Sequence, residues 1–232
     1  MTSRISAHVA LRDLGRISYH QAHALQQRLQ AEVIEARDAM PLAPMPVLLL
    51  EHDPPVITVS RRPGAGANLI ATPELLARNG VTVAETDRGG DITYHGPGQL
   101  VVYPMLDLNR LGLRIHGYMR LLEQIVIDTI REFGVDGARD ACATGVWVNG
   151  RKICAMGVRV SRWVTMHGLA LNVTTNLDHF GLIVPCGLAG RSVTSLALES
   201  SSTPSMEHVK QTLGRHLVSA VDAAVDAGGG TP

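Results

Sequence analysis

The 232-residue chain carries 21 basic and 21 acidic residues, and 45% of its residues are hydrophobic. We expect one domain over residues 1–232, and the balanced charge gives no support for a whole-molecule attraction to nucleic acid or to a membrane. No apolar run approaches the length of a membrane span, and the first residues lack the apolar core of a signal peptide.

The three cysteines are Cys142, Cys154 and Cys186. An odd cysteine count without an export signal favours free thiols in a cytoplasmic protein. Their spacing does not match a zinc site, so we expect no metal.

Helices and short strands are predicted to alternate in the first half of the chain. An apolar stripe from Ala22 to Ala36, with Ser18 as N-cap, predicts a helix over 18–39. His52-Asp53-Pro54-Pro55 is typical of a hairpin-type turn. His52 is interpreted as a turn residue that satisfies a backbone group, and the alternative is that it faces a site. The other elements predicted here are strands over 47–50, 56–59 and 81–85 and a short helix over 73–79.

The stretch RGGDITYHGPGQLVVY, residues 88–103, is rich in glycine. Glycines lose more backbone entropy on folding than other residues, so a cluster of them usually marks a close approach of a ligand or of another backbone. His95, which lies at such a turn, is therefore a candidate site residue. The alternative is a turn-rich hairpin that leads into a strand over 99–106.

In the second half, Asn149-Gly150 predicts a hairpin between strands over 145–148 and 153–160. Alternation places Lys152, Cys154, Met156 and Val158 on one face of the second strand. His167-Gly168 lies inside a third strand, over 163–173, and predicts a bulge or a close approach there. Helices are predicted over 115–133 and 204–227, and 192–200 is ambiguous. This order favours an α+β fold with a largely antiparallel sheet.

Lys152 and Cys186 can do chemistry together. Cys186 lies between Pro185 and Gly187, where a regular element cannot easily continue, and a nearby lysine stabilises a thiolate, the reactive form of cysteine. The alternative is a buried loop cysteine and an unrelated surface lysine.

Four blocks carry a resemblance to a known family: RGGDITYHGPGQLVVYP, KICAMGVRV, HGLALNV and LIVPCG. They resemble, in order and spacing, the signature blocks of the bacterial octanoyltransferases, the lipoyl(octanoyl) protein transferase family. The resemblance covers roughly residues 52–198. It implies the α+β fold of the biotin/lipoate ligase catalytic domain, with a large, mixed, mostly antiparallel sheet, a small sheet and flanking helices.

The resemblance also implies the reaction and its partners. Such enzymes take an octanoyl group from octanoyl-acyl carrier protein and place it on a lysine of a lipoyl domain, without ATP or another cofactor. The acceptors are the lipoyl domains of 2-oxoacid dehydrogenase complexes and the glycine cleavage carrier protein.

The residues that match the family's site follow from the same blocks. Cys186 matches the acylated nucleophile, and Lys152 matches the partner that could hold the thiolate and later accept a proton from the incoming amine. Val158, together with Met156 and Leu169, could line an apolar tunnel for the chain. The expected substrate-binding residues are Arg88, Gly89, Gly90, Thr93, Tyr94, His95, Gly96, Gly98, Ala155, Met156, Gly157, His167, Gly168, Leu169 and Ala170.

Several alternatives stay open at this point. An ATP-dependent lipoate–protein ligase shares the fold but typically has a different sequence after its Arg-Gly-Gly block. A transferase that moves octanoyl between two lipoyl-type carrier proteins is closer in chemistry but places its cysteine elsewhere. A non-catalytic module that binds an acyl carrier would need no reactive cysteine. A thiol hydrolase is disfavoured because no His–Asp pair is evident beside Cys186.

Docking of an acidic carrier is expected to depend on local cations rather than on net charge. The cations near the informative blocks are Arg61, Arg62, Arg88, Arg159 and Arg162.

Overall fold

The computed structural model of the chain describes residues 3–184 and 191–228. Its strands are β1 (Ser3–Ile5), β2 (Val9–Ile17), β3 (Met45–His52), β4 (Val56–Ser60), β5 (Thr82–Thr86), β6 (Ile92–His95), β7 (Gln99–Pro104), β8 (Ala138–Arg139), β9 (Val146–Val148), β10 (Arg151–Ser161) and β11 (Val164–Asn172). Its α-helices are α1 (Tyr19–Ala39), α2 (Pro73–Arg78), α3 (Ile115–Arg131), α4 (Leu196–Glu199) and α5 (Met206–Gly228). Short 3-10 helices cover Ala65–Asn68 and Leu177–Leu182.

Two sheets form the framework. The large sheet has the order β1-β2-β3-β7-β11-β10-β9-β8, and the small one has the order β5-β4-β6. Only β2–β3 and β4–β5 pair in parallel, and the other pairings are antiparallel. The predicted α+β class, with a large, mostly antiparallel sheet and a small sheet, is therefore confirmed.

The helices cover both faces of the large sheet. Helix α1 begins as predicted: the Ser18 side chain accepts a hydrogen bond from the Gln21 N–H, which satisfies a donor that the first helical turn leaves open. Its apolar stripe, with Ala22 and Leu29, packs on one face of the sheet. Helices α3 and α5 pack on the other face, where their apolar positions join the main core. None of the described helices combines the length and apolarity that a membrane crossing requires.

The predicted hairpin around Pro54-Pro55 is wrong. Strand β3 belongs to the large sheet and β4 to the small one, so residues 53–55 carry the chain from one sheet to the other. The chain returns between β6 and β7, so the turn-rich hairpin alternative for this stretch is wrong as well. These two crossings place His52 and His95, which end β3 and β6, at the junction of the sheets.

The hairpin at Asn149-Gly150 is confirmed, but the shared face predicted for β10 is wrong at Lys152. Lys152 pairs with Trp147 and Cys154 pairs with Val146, so a β-bulge adds one residue between them. Because adjacent residues of β9 point to opposite faces, the bulge turns Lys152 away from the face of Cys154. Cys154 lies with Val146 in the main core, whereas the Lys152 ammonium lies 4.8 Å from the centre of the Trp147 ring.

Candidate active site

A cavity of about 490 Å³ lies where the two sheets meet. This volume falls within the range typical of small-molecule sites. Its walls come from β10 and β11 of the large sheet, from β6 and the preceding loop, and from the first turns of α3, which contribute Ile115 and Met119. The cavity therefore collects segments that are far apart in the chain.

Most of the predicted site residues meet in this cavity. Tyr94, Gly96 and Gly98 are not among its described lining residues, and Cys186 lies outside the described residues. Val158, expected in the apolar tunnel, lines it too. The predicted residues that line it are Arg88, Gly89, Gly90, Thr93, His95, Lys152, Ala155, Met156, Gly157, His167, Gly168, Leu169 and Ala170.

Tyr94, Gly96 and Gly98 have packing roles. Burial raises the pKa of Tyr94 to about 12, and its hydroxyl lies 2.8 Å from Nδ1 of His179. A Cβ atom on Gly96 would collide with the Tyr94 ring, and one on Gly98 would lie 2.7 Å from the backbone of Thr174. Gly98 also has a φ of +81°, which favours glycine. At this turn the glycines therefore allow close packing of the protein on itself, not the approach of a ligand.

The Arg88–Gly90 loop lies directly on β10. The Gly89 N–H donates to the Val158 carbonyl at 3.0 Å, and a Cβ atom on Gly157 would lie 2.7 Å from the Gly89 carbonyl oxygen. The Arg88 guanidinium donates to the carbonyl and to the hydroxyl of Thr58, at 3.0 and 2.8 Å. These contacts tie the small sheet to the large one across the cavity.

The bulge or close approach predicted at His167-Gly168 is confirmed. His167 has a φ of +60°, unusual for a residue with a side chain. A Cβ atom on Gly168 would lie 2.7 Å from the Pro104 ring, so β7 can approach only because the residue is glycine. The irregularity brings the His167 ring to the cavity wall.

A chain of buried hydrogen bonds fixes the tautomer of His95. The Gln99 amide nitrogen donates to the Tyr94 carbonyl at 3.2 Å and to Oδ1 of Asn172 at 3.0 Å, both of which are acceptors. The Gln99 oxygen must therefore face His95, whose Nδ1 lies 2.8 Å away and carries the proton. Burial, together with the nearby His52 and Arg88, sets the pKa of His95 well below its usual value. The neutral ring thus keeps an unprotonated Nε2.

The same series of hydrogen bonds extends to the backbone of Lys152. The Asn172 amide nitrogen donates to the Thr194 carbonyl at 2.9 Å, which fixes its orientation as well. The Thr194 N–H in turn donates to the Lys152 carbonyl at 2.9 Å. His95 and the backbone of Lys152, both of which line the cavity, are therefore connected through buried polar groups.

His52 is buried and packs against three residues that line the cavity, Tyr19, His95 and Tyr103. It is the last residue of β3 rather than part of a turn, but it does satisfy a backbone group as expected. Its Nδ1 donates to the Ile17 carbonyl at 3.2 Å, so its Nε2 accepts a hydrogen bond of 2.7 Å from the Tyr103 hydroxyl. Burial lowers the pKa of His52 to about 4. Its ring meets the His95 ring edge to face at 5.5 Å.

His167 completes the wall with a carboxylate partner. Its Nε2 lies 2.8 Å from Oδ1 of Asp87, whose other oxygen is 3.1 Å from the Arg159 guanidinium. Burial lowers the pKa of His167 to about 4 despite this bond. Partial burial alone would raise the pKa of Asp87. The hydrogen bond from His167 and the nearby Arg159 outweigh burial and lower this pKa, so the carboxylate is ionised.

His23, Asp87 and His167 have the ligand types and the closeness of a metal site. Asp87 is, however, already paired with Arg159 through one oxygen and hydrogen-bonded to His167 through the other. A metal ion would have to break the second bond next to a fixed cation, which is unfavourable. We interpret Asp87 as a hydrogen-bonded support for His167, with the His23 ring stacked on the His167 ring at 5.6 Å.

Lys152 lines the cavity near the start of β10. Its backbone N–H donates to the Ser192 carbonyl at 3.0 Å, so residues 192–194 extend the sheet edge beside it. The Trp147 ring bears two cations, with the Lys152 ammonium at 4.8 Å and the Arg191 guanidinium at 3.6 Å from its centre. Arg191 also pairs with Asp140 at 2.7 Å. The chain just after the segment that contains Cys186 is thus anchored at Lys152.

Cys154 is a core thiol. It is fully buried, and burial raises its pKa to about 12. A thiol with so high a pKa is a poor nucleophile at neutral pH. Cys142, in contrast, is exposed and lies on the cavity rim.

Comparison with known proteins gives the family. Residues 18–218 match the lipoyl protein ligase A/B catalytic domain. The octanoyltransferase of Syntrophobacter fumaroxidans is 45% identical over 207 residues, which cover 89% of this chain and 88% of that protein. The octanoyltransferase of Solibacter usitatus is 47% identical over 212 residues, 91% and 92% of the two chains. The chain belongs to the octanoyltransferases of this family.

Solved structures similar to this octanoyltransferase-family chain show the same fold. A lipoate-protein ligase A bound with ATP matches with a TM-score of 0.69 and 16% identity, over 94% of this chain and 86% of that one. The biotin protein ligase of Aquifex aeolicus matches with a TM-score of 0.56 and 11% identity, over 93% and 72%. The predicted ligase-type fold is confirmed, and at these identities the likeness concerns the fold alone.

Several cavity residues of the octanoyltransferase-family chain were missed from the sequence. Tyr19, Ile115, Met119 and Phe180 come from elements that were interpreted only as core helices or were not predicted. Tyr103, in contrast, carried a signal, because it lies within the glycine-rich block. Asp87, which supports His167 from outside the lining, directly precedes that block. Strands β1, β2 and β8 were not predicted either.

Proposed function

We propose that this enzyme transfers an octanoyl group from octanoyl-acyl carrier protein to a lysine of a lipoyl domain, through a thioester on Cys186. The observation that carries the proposal is the 40–47% identity to octanoyltransferases over most of the chain. The cavity supports it with Lys152 on one wall and the apolar side chains Met156, Val158 and Leu169 beside it. Its acceptors are the lipoyl domains of 2-oxoacid dehydrogenase complexes and the glycine cleavage carrier protein, in the cytoplasm.

The first step exchanges one thioester for another. The Cys186 thiolate attacks the donor's carbonyl carbon, and the bond from that carbon to the carrier sulfur breaks. The departing carrier thiolate takes a proton from the Lys152 ammonium, which leaves the Lys152 amine neutral for the second step. Because a thioester replaces a thioester, the step is close to energetic balance and needs no ATP. Lys152 supports the Cys186 thiolate as a nearby cation.

The second step forms the amide. The lysine amine of the lipoyl domain attacks the Cys186 thioester, the carbon–sulfur bond breaks, and the amine loses a proton. We assign that proton to Lys152, which acts as general base. Its backbone, hydrogen-bonded at both N–H and C=O to residues 192–194, holds it in place for this role.

His95 contributes an acceptor rather than a donor. Its Nδ1 proton is engaged by Gln99, so the remaining Nε2 can accept a hydrogen bond from an amide or amine N–H of a substrate. It cannot stabilise a developing oxyanion, which requires a donor. The oxyanion donors are therefore other groups, and backbone N–H groups near Cys186 suit this role.

A single-turnover assay tests the proposal. Octanoyl-acyl carrier protein and a lipoyl domain are mixed with the enzyme without ATP, and amide formation and free octanoate are both followed. We expect the octanoyl amide on the lipoyl lysine without ATP, and none from free octanoate with ATP. Product that forms only from octanoate and ATP would instead indicate a ligase.

Free octanoate is measured because the structure contains a His–Asp pair that the sequence did not reveal. His167 lines the cavity and is hydrogen-bonded to Asp87, and such a pair is a common feature of hydrolases. Release of octanoate faster than amide formation would favour a thioester hydrolase.

A further inference from the structure

The cations predicted to dock a carrier are mostly engaged elsewhere. Arg62 pairs with Asp91 at 3.2 Å, Arg159 pairs with Asp87 at 3.1 Å, and Arg61 pairs with Glu85. Arg88 is committed to Thr58. Of the five, Arg162 is the one whose side chain makes neither an ion pair nor a hydrogen bond within residues 3–184 and 191–228.

Arg162 belongs to a turn that displays an aromatic ring. Arg162 and Trp163 join β10 to β11 with φ angles of +47° and +66°, a conformation that bulky residues rarely adopt. Trp163 is 38% exposed, and the Arg114 guanidinium lies 4.6 Å from the centre of its ring. Arg114 is exposed and likewise has no carboxylate partner in the described part of the chain.

This patch continues into the cavity. Ile115, the residue after Arg114, is 46% exposed and lines the cavity, as does Met119 one turn later. The first turn of α3 contains no acidic residue that would repel an anionic partner. An apolar and cationic surface thus extends from the β10–β11 turn to the cavity mouth.

We propose that the surface formed by Arg114, Ile115, Arg162 and Trp163, here the Trp163 surface, docks the acidic acyl carrier protein that donates the octanoyl group. The proposal rests on the proposed function. The carrier's acidic side chains can pair with the two arginines, and Trp163 supplies a central apolar contact of the kind that dominates binding energy. A carrier bound there presents its acyl arm at the cavity mouth.

The test compares two donors in single-turnover acylation of the enzyme. One is octanoyl-acyl carrier protein, and the other is S-octanoyl-N-acetylcysteamine, which has the thioester but no protein surface. We expect Trp163→Ala and Arg162→Glu to lower kcat/KM for the carrier at least about tenfold relative to kcat/KM for the small thioester. Arg78→Glu, which changes the same charge at an exposed site on α2, is the matched control and should leave this ratio unchanged.

Salt provides a second readout. Rim charges act mainly on the association rate, so wild-type acylation by the carrier should slow as salt rises, and Arg162→Glu should flatten this dependence. An unchanged donor ratio in both variants would overturn the proposal. A loss seen only in transfer to the lipoyl domain would do so as well, since it would assign the surface to the acceptor. If the wild type reacted with neither donor, the proposed function itself would fail.

Discussion

Two polar regions at the cavity differ in how their groups are satisfied. On the histidine wall (His52, His95 and His167), each ring is buried and bonded to a neighbouring protein group. At the lysine end (Trp147, Lys152 and Arg191), two cations are stacked on one indole at the edge of the sheet.

This difference indicates that one region positions the substrate and the other transfers protons. The histidine wall is neutral, because burial lowers the pKa of each of its rings, and its hydrogen bonds fix which nitrogen carries a proton. Such a wall can orient a substrate but is a weak proton acceptor at neutral pH. The lysine end carries the positive charge and adjoins the segment that contains Cys186. We therefore assign proton transfer to the lysine end and substrate orientation to the histidine wall.

The largest expected effect comes from removing the base. Lys152→Ala and Lys152→Arg should both slow transfer to the lipoyl domain by about 10²- to 10⁴-fold, since arginine does not give up its proton in proteins. Lys152→Arg should still allow acylation of Cys186, because its positive charge persists. Separate single-turnover measurements of the two steps check this.

The outcome for Lys152→Arg decides the role of the lysine. Near-normal transfer by this variant would reduce Lys152 to an electrostatic partner, and the separation of roles between the two walls would then fail.

A smaller effect on kcat is expected when the hydrogen bond that fixes the tautomer of His95 is removed. Gln99→Met removes the amide that holds Nδ1–H while keeping a similar volume, and it should lower kcat by roughly 10- to 100-fold. Gln30→Met is the matched control, because Gln30 is equally buried but its amide donates to Val164 on the α1 side.

The tautomer itself can be observed by ¹⁵N NMR of labelled histidine. In the wild type, Nδ1 of His95 should be protonated and Nε2 should not, and Gln99→Met should change this pattern. Equal losses of activity in Gln99→Met and Gln30→Met, with the same His95 spectrum in both, would mean that Gln99 serves stability only.

The last effect concerns the pH dependence of stability rather than activity. His52 and His167 have folded pKa values of about 4, below the usual value near 6.5, so the unfolded state binds more protons between these limits. The free energy of unfolding should therefore be highest above pH 6.5 and fall as the pH drops toward 4, by on the order of 3 kcal/mol for each histidine. Denaturant unfolding at several pH values checks this.

Matched variants identify the source of the slope. His52→Gln should reduce the pH dependence, whereas His20→Gln, which changes an exposed ring on α1, should leave it unchanged. A wild-type unfolding free energy that stayed constant between pH 4 and 6.5 would contradict a neutral, buried histidine wall.

Local sequence signals predicted much of the fold. The Asn149-Gly150 hairpin, the Ser18 cap and the apolar stripes of the long helices depend on neighbouring residues, and all are present in the structure. The assignment of strands to sheets depends on contacts far apart in the chain. The hairpins predicted on either side of the small sheet were wrong for this reason.

Prediction of the site was limited in the same way, by contacts between residues that are distant in the sequence. The blocks identified most of the residues that line the cavity, but period-two alternation could not foresee the extra residue that separates the faces of Lys152 and Cys154. His52 resembled a turn residue because its partners, Ile17 and Tyr103, are distant in sequence. The placement of Cys186 stays a prediction, since it lies outside the described residues.

Intact-mass analysis after mixing with octanoyl-acyl carrier protein, without ATP, tests the central claim most directly. The wild type, Cys154→Ser and Cys142→Ser should each gain one octanoyl group, and Cys186→Ser should gain none. Cys154 is a suitable control because it is fully buried, with a pKa raised to about 12, and Cys142 because it is exposed on the cavity rim. An octanoyl adduct on Cys186→Ser that disappears in Cys154→Ser or Cys142→Ser would contradict the account.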